Sequence, residues 1–204
     1  MRSIFSLAAL GLLFATTAGC PEAAAQDDLT GKWLRFDWSV CVTSLKDGAK
    51  KEDEKCFEDW TIVGVTKAGH HWLGTECPRN STTPPDRTYS KTDRLEETLI
   101  GQTTCATDGP RTTLTRATLR KDIYPQISLT QVAKLDTVLS FEISDSRCRI
   151  PNYSRTIHAV NSEGVRQNGE RIAATIEDYK YRMDKLLRCR IVSSEKEALA
   201  LGLK

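Results

Sequence analysis

The stretch Trp33-Leu34-Arg35-Phe36-Asp37-Trp38-Ser39-Val40-Cys41-Val42-Thr43 decides the fold class. Leu34, Phe36, Trp38, Val40 and Val42 alternate with Arg35, Asp37, Ser39, Cys41 and Thr43. Successive side chains of an extended chain point to opposite faces, so a period of two predicts a strand with one apolar face and one mostly polar face.

Working outward, residues 46–55 are charged and contain Gly48, which fits a solvated hairpin tip rather than a binding site. Residues 60–66 read as a second strand, Lys67-Ala68-Gly69 as a turn and 70–77 as the return strand. Pro78, Pro84 and Pro85 mark 78–87 as a loop. A further strand is expected around 99–105. Asp108-Gly109-Pro110 then turns into 111–121, whose poor alternation suits an exposed or edge strand. Residues 123–134 are open, a short helix over 128–135 being one option. Residues 137–144 alternate cleanly again, and 152–160 are expected to pair with them.

Near the carboxy terminus the period changes. Ile172, Ile176, Tyr179, Met183 and Leu186 are spaced by four and three, the stripe of an amphipathic helix over about 169–190. Asn168 can cap its start, and Glu170, Glu177 and Asp178 precede Lys185, Arg188 and Arg190 in the order a helix dipole favours. The basic side chains of this stretch read as a solvated face. Ser194 and Glu197 form a capping box for a last short helix through Leu199. The expected fold is mostly β with C-terminal α: a small antiparallel barrel or curved sheet closed by one amphipathic helix, with a two-sheet sandwich as second choice.

The amino terminus has the parts of a secretory signal peptide over 1–25. Arg2 supplies charge, residues 4–15 are apolar apart from Ser6, Pro21 breaks any helix, and Ala23 and Ala25 place the cut before Gln26. The apolar run is shorter than the roughly 20 residues that span a bilayer. Thr17-Ala18-Gly19-Cys20 offers a second route, a lipobox with Cys20 lipidated, which is the one way the chain is expected to touch a membrane. The expected location is the periplasm or the secreted space.

Either route leaves Cys41, Cys56, Cys77, Cys105, Cys148 and Cys189, an even number, as disulfides require. None stands in a C-x-x-C pair, so redox-active and zinc-knuckle patterns are not suggested. Six cysteines allow 15 pairings, among which sequence alone does not choose; the expected pairing is sequential: Cys41 with Cys56 across a hairpin, Cys77 with Cys105 around the proline-rich loop, and Cys148, near a strand end, with Cys189 on the late helix. The formal charge of +2 is too small to argue for nucleic acid.

The sequence contains no nucleophile elbow, phosphate-cradling loop or H-E-x-x-H motif. His70 and His71 are adjacent on a predicted strand, so they face opposite ways and are poorly placed to share a metal. No catalytic residue, metal or cofactor is assigned. Trp33, Trp38, Trp60 and Trp72 fall on three neighbouring predicted strands. Trp38, Trp60, Trp72 and Phe36 are the candidate lining of a cavity for an apolar or ring-shaped ligand; the competing reading has the tryptophans filling the core.

Gly31-Lys32-Trp33, at the start of the first strand, resembles the G-x-W motif that opens the lipocalins. The resemblance implies a secreted barrel with a late helix and a ligand inside. The T-D-Y motif of that family is absent, since Thr92-Asp93 is followed by Arg94, and no site is carried over. The functional expectation is a non-catalytic exported protein that binds a small apolar ligand or another envelope protein. The alternative is a hydrolase of envelope polymers whose site only the fold brings together.

Overall fold

The computed structural model describes residues 29–50, 54–144 and 147–201; the predicted signal peptide and Cys20 lie outside the described residues. In chain order the strands are β1 (Trp33–Lys46), β2 (Ala49–Lys50), β3 (Lys55–Val65), β4 (Gly69–Trp72), β5 (Thr75–Pro78), β6 (Ser81–Thr82), β7 (Asp86–Lys91), β8 (Glu96–Asp108) and β9 (Arg111–Tyr124). They continue with β10 (Leu129–Ser144), β11 (Arg147–Asn161), β12 (Gly164–Val165), β13 (Arg171–Ile172) and β14 (Thr175–Val192), followed by one helix, α1 (Glu195–Ala200).

Antiparallel pairing runs β5-β4-β3-β1-β14-β11-β10-β9-β8, and both β6 and β7 pair with β8 on its far side. The sheet curls into a nearly closed barrel, with the β12–β13 ribbon apart from it. Leu34, Phe36, Val40, Val63, Leu114, Leu139 and Phe141 fill one end of the lumen. They come from the alternating faces of β1, β3, β9 and β10, as the period of two requires.

The sequential disulfide scheme is what the fold contains: Cys41–Cys56, Cys77–Cys105 and Cys148–Cys189. The first joins directly opposed residues of the β1–β3 ladder, with Cα atoms 4.0 Å apart. The other two span gaps. Cys77–Cys105 ties β5, at one end of the strand order, to β8 near the other. The β11–β14 ladder ends at the pair Ser154 and Arg182, and Cys148–Cys189 holds the two strands together beyond that point.

The helix expected over about 169–190 is instead mostly β14. Its backbone bonds to β1 along one side and to β11 along part of the other, giving it partners that an isolated helix would not have. Two β-bulges explain the misleading spacing. Lys185 and Met183 oppose Ser39 and Val40, which leaves Asp184 without a partner in β1. Likewise Arg188 and Leu186 oppose Asp37 and Trp38, which leaves Leu187 over. Each extra residue converts an i, i+2 step on the inner face into i, i+3, so Met183, Leu186 and Cys189 all face the core at helix-like intervals. Ile176 falls on the outer face and is exposed. Asn168 caps a turn, not a helix: its Oδ1 accepts from the Glu170 N–H at 3.1 Å.

Other expectations shift in smaller ways. The return strand 70–77 is two strands, because Leu73 and Gly74 both take positive φ and form a two-residue hairpin turn. The loop 78–87 contains β6 and the first residues of β7. The optional helix over 128–135 is absent, since β10 begins at Leu129 after a 3₁₀ turn over Pro125–Ile127. The strand around 111–121 is not at an edge: β9 lies between β8 and β10, and its alternation is poor because its inward residues include polar Thr112, Arg116 and Thr118.

The last short helix forms as its capping box predicts. The Ser194 hydroxyl accepts from the Glu197 N–H at 3.2 Å, while the Glu197 carboxylate reaches back to the N–H and hydroxyl of Ser193. The helix covers Arg35 on the outside of the barrel, where the Arg35 guanidinium donates to the Ala198 carbonyl at 3.0 Å.

One glycine is fixed by close approach. A Cβ on Gly69 would run into backbone atoms of Cys77, Pro78 and Arg79. Backbone cannot swing aside as a side-chain tip can. Gly69→Ala is expected to lower stability by about 2 kcal/mol, measured by urea unfolding. A loss below about 0.5 kcal/mol, the scale of an ordinary surface change, would show that the β4–β5 hairpin accommodates it.

Candidate functional site

Past the packed end, the lumen opens into a cavity of about 380 Å³. Its floor is aromatic. Trp38 and Tyr153 lie with ring centroids 4.5 Å apart, and Trp72 joins them, its indole N–H donating to the Thr61 hydroxyl at 3.1 Å. Leu99 and Leu135 add apolar wall. The alternation of β1, β8, β10 and β11 brings these residues to one face, although they are spread over more than a hundred positions of chain.

The rest of the wall is polar. Arg116 spans the seam of the barrel: one guanidinium nitrogen donates to the hydroxyls of Thr75 and Thr103 at 2.8 Å, the other to the Asp86 carboxylate at 3.0 and 3.2 Å. Gly101 lies beneath this pair, and a Cβ there would meet both the guanidinium and Asp86. Arg155 and Asp59 complete the charged part of the lining. Burial, with Asp59 adding a smaller push, raises the Tyr153 phenol to about 12, so it is protonated across the neutral range and available as a donor. Among the described residues, the indole N–H of Trp38 is buried without a hydrogen-bond partner, and so is Arg155 Nε.

The four predicted lining residues separate. Trp38 and Trp72 are buried at the floor of the cavity. Trp60 borders it, but its parity on β3 turns the ring outward; it is 44% exposed, and the Arg35 guanidinium stands over it at 4.1 Å. Phe36 is sealed in the core against Phe141, with ring centroids 5.4 Å apart, and does not line the cavity. Tyr153, Arg116, Arg155 and Asp86 were not singled out by sequence. The one signal pointing to them is the set of polar residues at inward positions of β7, β9 and β11.

The histidines behave as their positions dictate. His70 is buried against Phe141, and His71, on the other face of β4, meets Trp33 edge-on at 5.4 Å. His158 bonds Asp178 at 2.7 Å, both on the outer face of the barrel. Cys41, Glu54 and Cys56 are close enough to hold a metal, but both sulfurs are in the disulfide and Glu54 is bound by Arg182.

The chain matches no family model, no curated protein and no solved structure. The likeness of Gly31-Lys32-Trp33 to the lipocalin motif therefore remains a likeness of three residues. No helix of the described residues is long and apolar enough to cross a membrane.

His70 gives the fold a pH dependence. Burial, then the charge of Arg79, lowers its pKa from 6.5 to about 4. The unfolded chain therefore binds the proton first as pH falls, and stability is lost between about pH 6.5 and pH 4. The expected loss from this group is about 2–3 kcal/mol. The check compares urea unfolding of the native chain and His70→Gln at several pH values. Parallel pH profiles over that window would refute the assignment.

Proposed function

We propose that this is a non-catalytic, exported binding protein whose barrel mouth receives a small, largely apolar ring compound. The observation that carries the reading is the unfilled cavity above the indole and phenol floor of Trp38, Trp72 and Tyr153. Its volume lies within the range of small-ligand sites, and aromatic surface with a few polar groups is the composition such sites use. The three disulfides support an oxidising compartment, because thiols stay reduced in most cytosols. The alternative of a hydrolase draws no support from His158 and Asp178, an exposed pair on the opposite face of the sheet from the cavity.

The test is a titration of the purified chain with phenylnaphthylamine, an uncharged dye that fluoresces in apolar surroundings. Saturable binding of one dye per chain is expected. Leu135→Trp, which fills the cavity from its wall, is expected to abolish it while leaving the far-ultraviolet circular dichroism intact. Absence of saturable binding, or binding untouched by Leu135→Trp, would overturn the reading.

A further inference from the structure

We infer that the ligand of this cavity carries an anionic group and that Arg155 receives it; the inference rests on the cavity being a ligand site. The other lumen-facing arginines are already matched. Arg116 is bound by Asp86, Thr75 and Thr103, and Arg120 by Asp122, with Glu97 at 3.7 Å. Arg155 differs. Among the described residues no carboxylate stands within ion-pair distance of it. Its guanidinium lies 5.6 Å from the Tyr181 ring, and its Nε is shut off from solvent with no acceptor. The Trp38 indole N–H is also buried with no acceptor among the described residues, but it is shut off from the cavity as well as from bulk water.

A buried donor without an acceptor is costly, and guanidinium and indole groups offer donors only. Of the two carboxylates in the lining, Asp86 is bound to Arg116, and Asp59 accepts the Trp60 N–H at 2.8 Å. Arg155 is therefore the cation of the lining that no carboxylate binds among the described residues, and a carboxylate or sulfonate on an aromatic body would meet its guanidinium with charge-assisted hydrogen bonds.

The experiment compares two dyes with the same aromatic body, anilinonaphthalene sulfonate and uncharged phenylnaphthylamine, on the native chain and on Arg155→Met. The native chain is expected to bind the sulfonate at least about tenfold more tightly. Arg155→Met is expected to erase that preference, bringing the affinities for the two dyes to within about twofold of each other. Equal affinity of the native chain for both dyes would overturn the inference and leave the cavity reading standing. A preference that survives Arg155→Met would place the anion elsewhere and also overturn it. Failure of both dyes to bind the native chain would remove the cavity reading itself.

Discussion

Replacing Cys148 and Cys189 together with alanine is expected to lower the unfolding free energy by about 4 kcal/mol. The two cysteines are 41 positions apart. Cross-linking a loop of that length removes conformational freedom from the unfolded chain, which the entropy relation for disulfides puts at about 4 kcal/mol. The native state loses something too. Hydrogen bonding between β11 and β14 stops at Ser154 and Arg182, so below that point the disulfide is the covalent tie across the gap. Amide exchange over 147–153 is therefore expected to accelerate more than exchange in the β1–β3 ladder. Urea unfolding of the double variant gives the first quantity and hydrogen exchange the second. A loss under about 1.5 kcal/mol, below the usual range for a disulfide, would show that neighbouring packing closes the gap unaided.

Arg35→Ala is expected to cost about 3–5 kcal/mol. Arg35 is 1% exposed, although it lies on the outer face of β1. It is enclosed by the Trp60 ring, by Asp37 at 2.8 Å and by the Ala198 carbonyl of α1. Truncation strands the Asp37 carboxylate, which is 23% exposed, and removes the hydrogen bond from Arg35 to the helix. Because Asp37 retains some water, the loss is expected near the lower end of that range. Arg35→Ala is also expected to loosen α1 before the barrel, seen as faster exchange of its amides well below the unfolding midpoint. Arg35→Lys keeps the charge and the stem but not the fork of donors, so partial recovery is expected. If the alanine variant unfolds within about 0.5 kcal/mol of the native chain, a surface-like effect, the buried cluster contributes little.

How much was legible in the sequence depended on whether local pattern and tertiary demand agreed. In β1 they agreed: four of the five apolar residues on one parity, Leu34, Phe36, Trp38 and Val40, are buried in the core, and the strand could be read directly. For Cys41–Cys56 and Cys77–Cys105 they agreed as well, because hairpin neighbours and loop flanks along the chain were also neighbours in space; Cys148–Cys189 joins two strands, not the strand and helix expected. In β14 they disagreed. Bulges at Asp184 and Leu187 put inward residues three apart, so a strand carried the spacing of a helix. In β9 an inward arginine and threonines hid a central strand behind the pattern of an exposed one, because part of the lumen is polar.

The candidate site divides along the same line. Aromatic residues concentrated in the first strands were visible as a potential lining, and three of the four named border the cavity, Trp38 and Trp72 at its floor and Trp60 at its rim. Trp60 shows the limit: one residue of parity separates the lumen from the outer face, and β3 puts its ring outside. Arg116, Arg155 and Tyr153 were invisible because a cavity wall is assembled from residues distant in the chain.

By itself, then, the sequence determined that the chain is predominantly β, that its six later cysteines are even in number as three bridges require, and that Ser194 starts a short final helix. These follow from alternation, parity and capping, which act between residues near each other in the chain. Only the tertiary structure decided that the strands curl into a nearly closed barrel, that 175–192 extends rather than coils, and that Arg155 of the cavity wall has no carboxylate within ion-pair distance among the described residues. Those outcomes depend on which backbone meets which across the sheet, and a hydrogen-bonding partner on each side outweighs the preference of any single stretch.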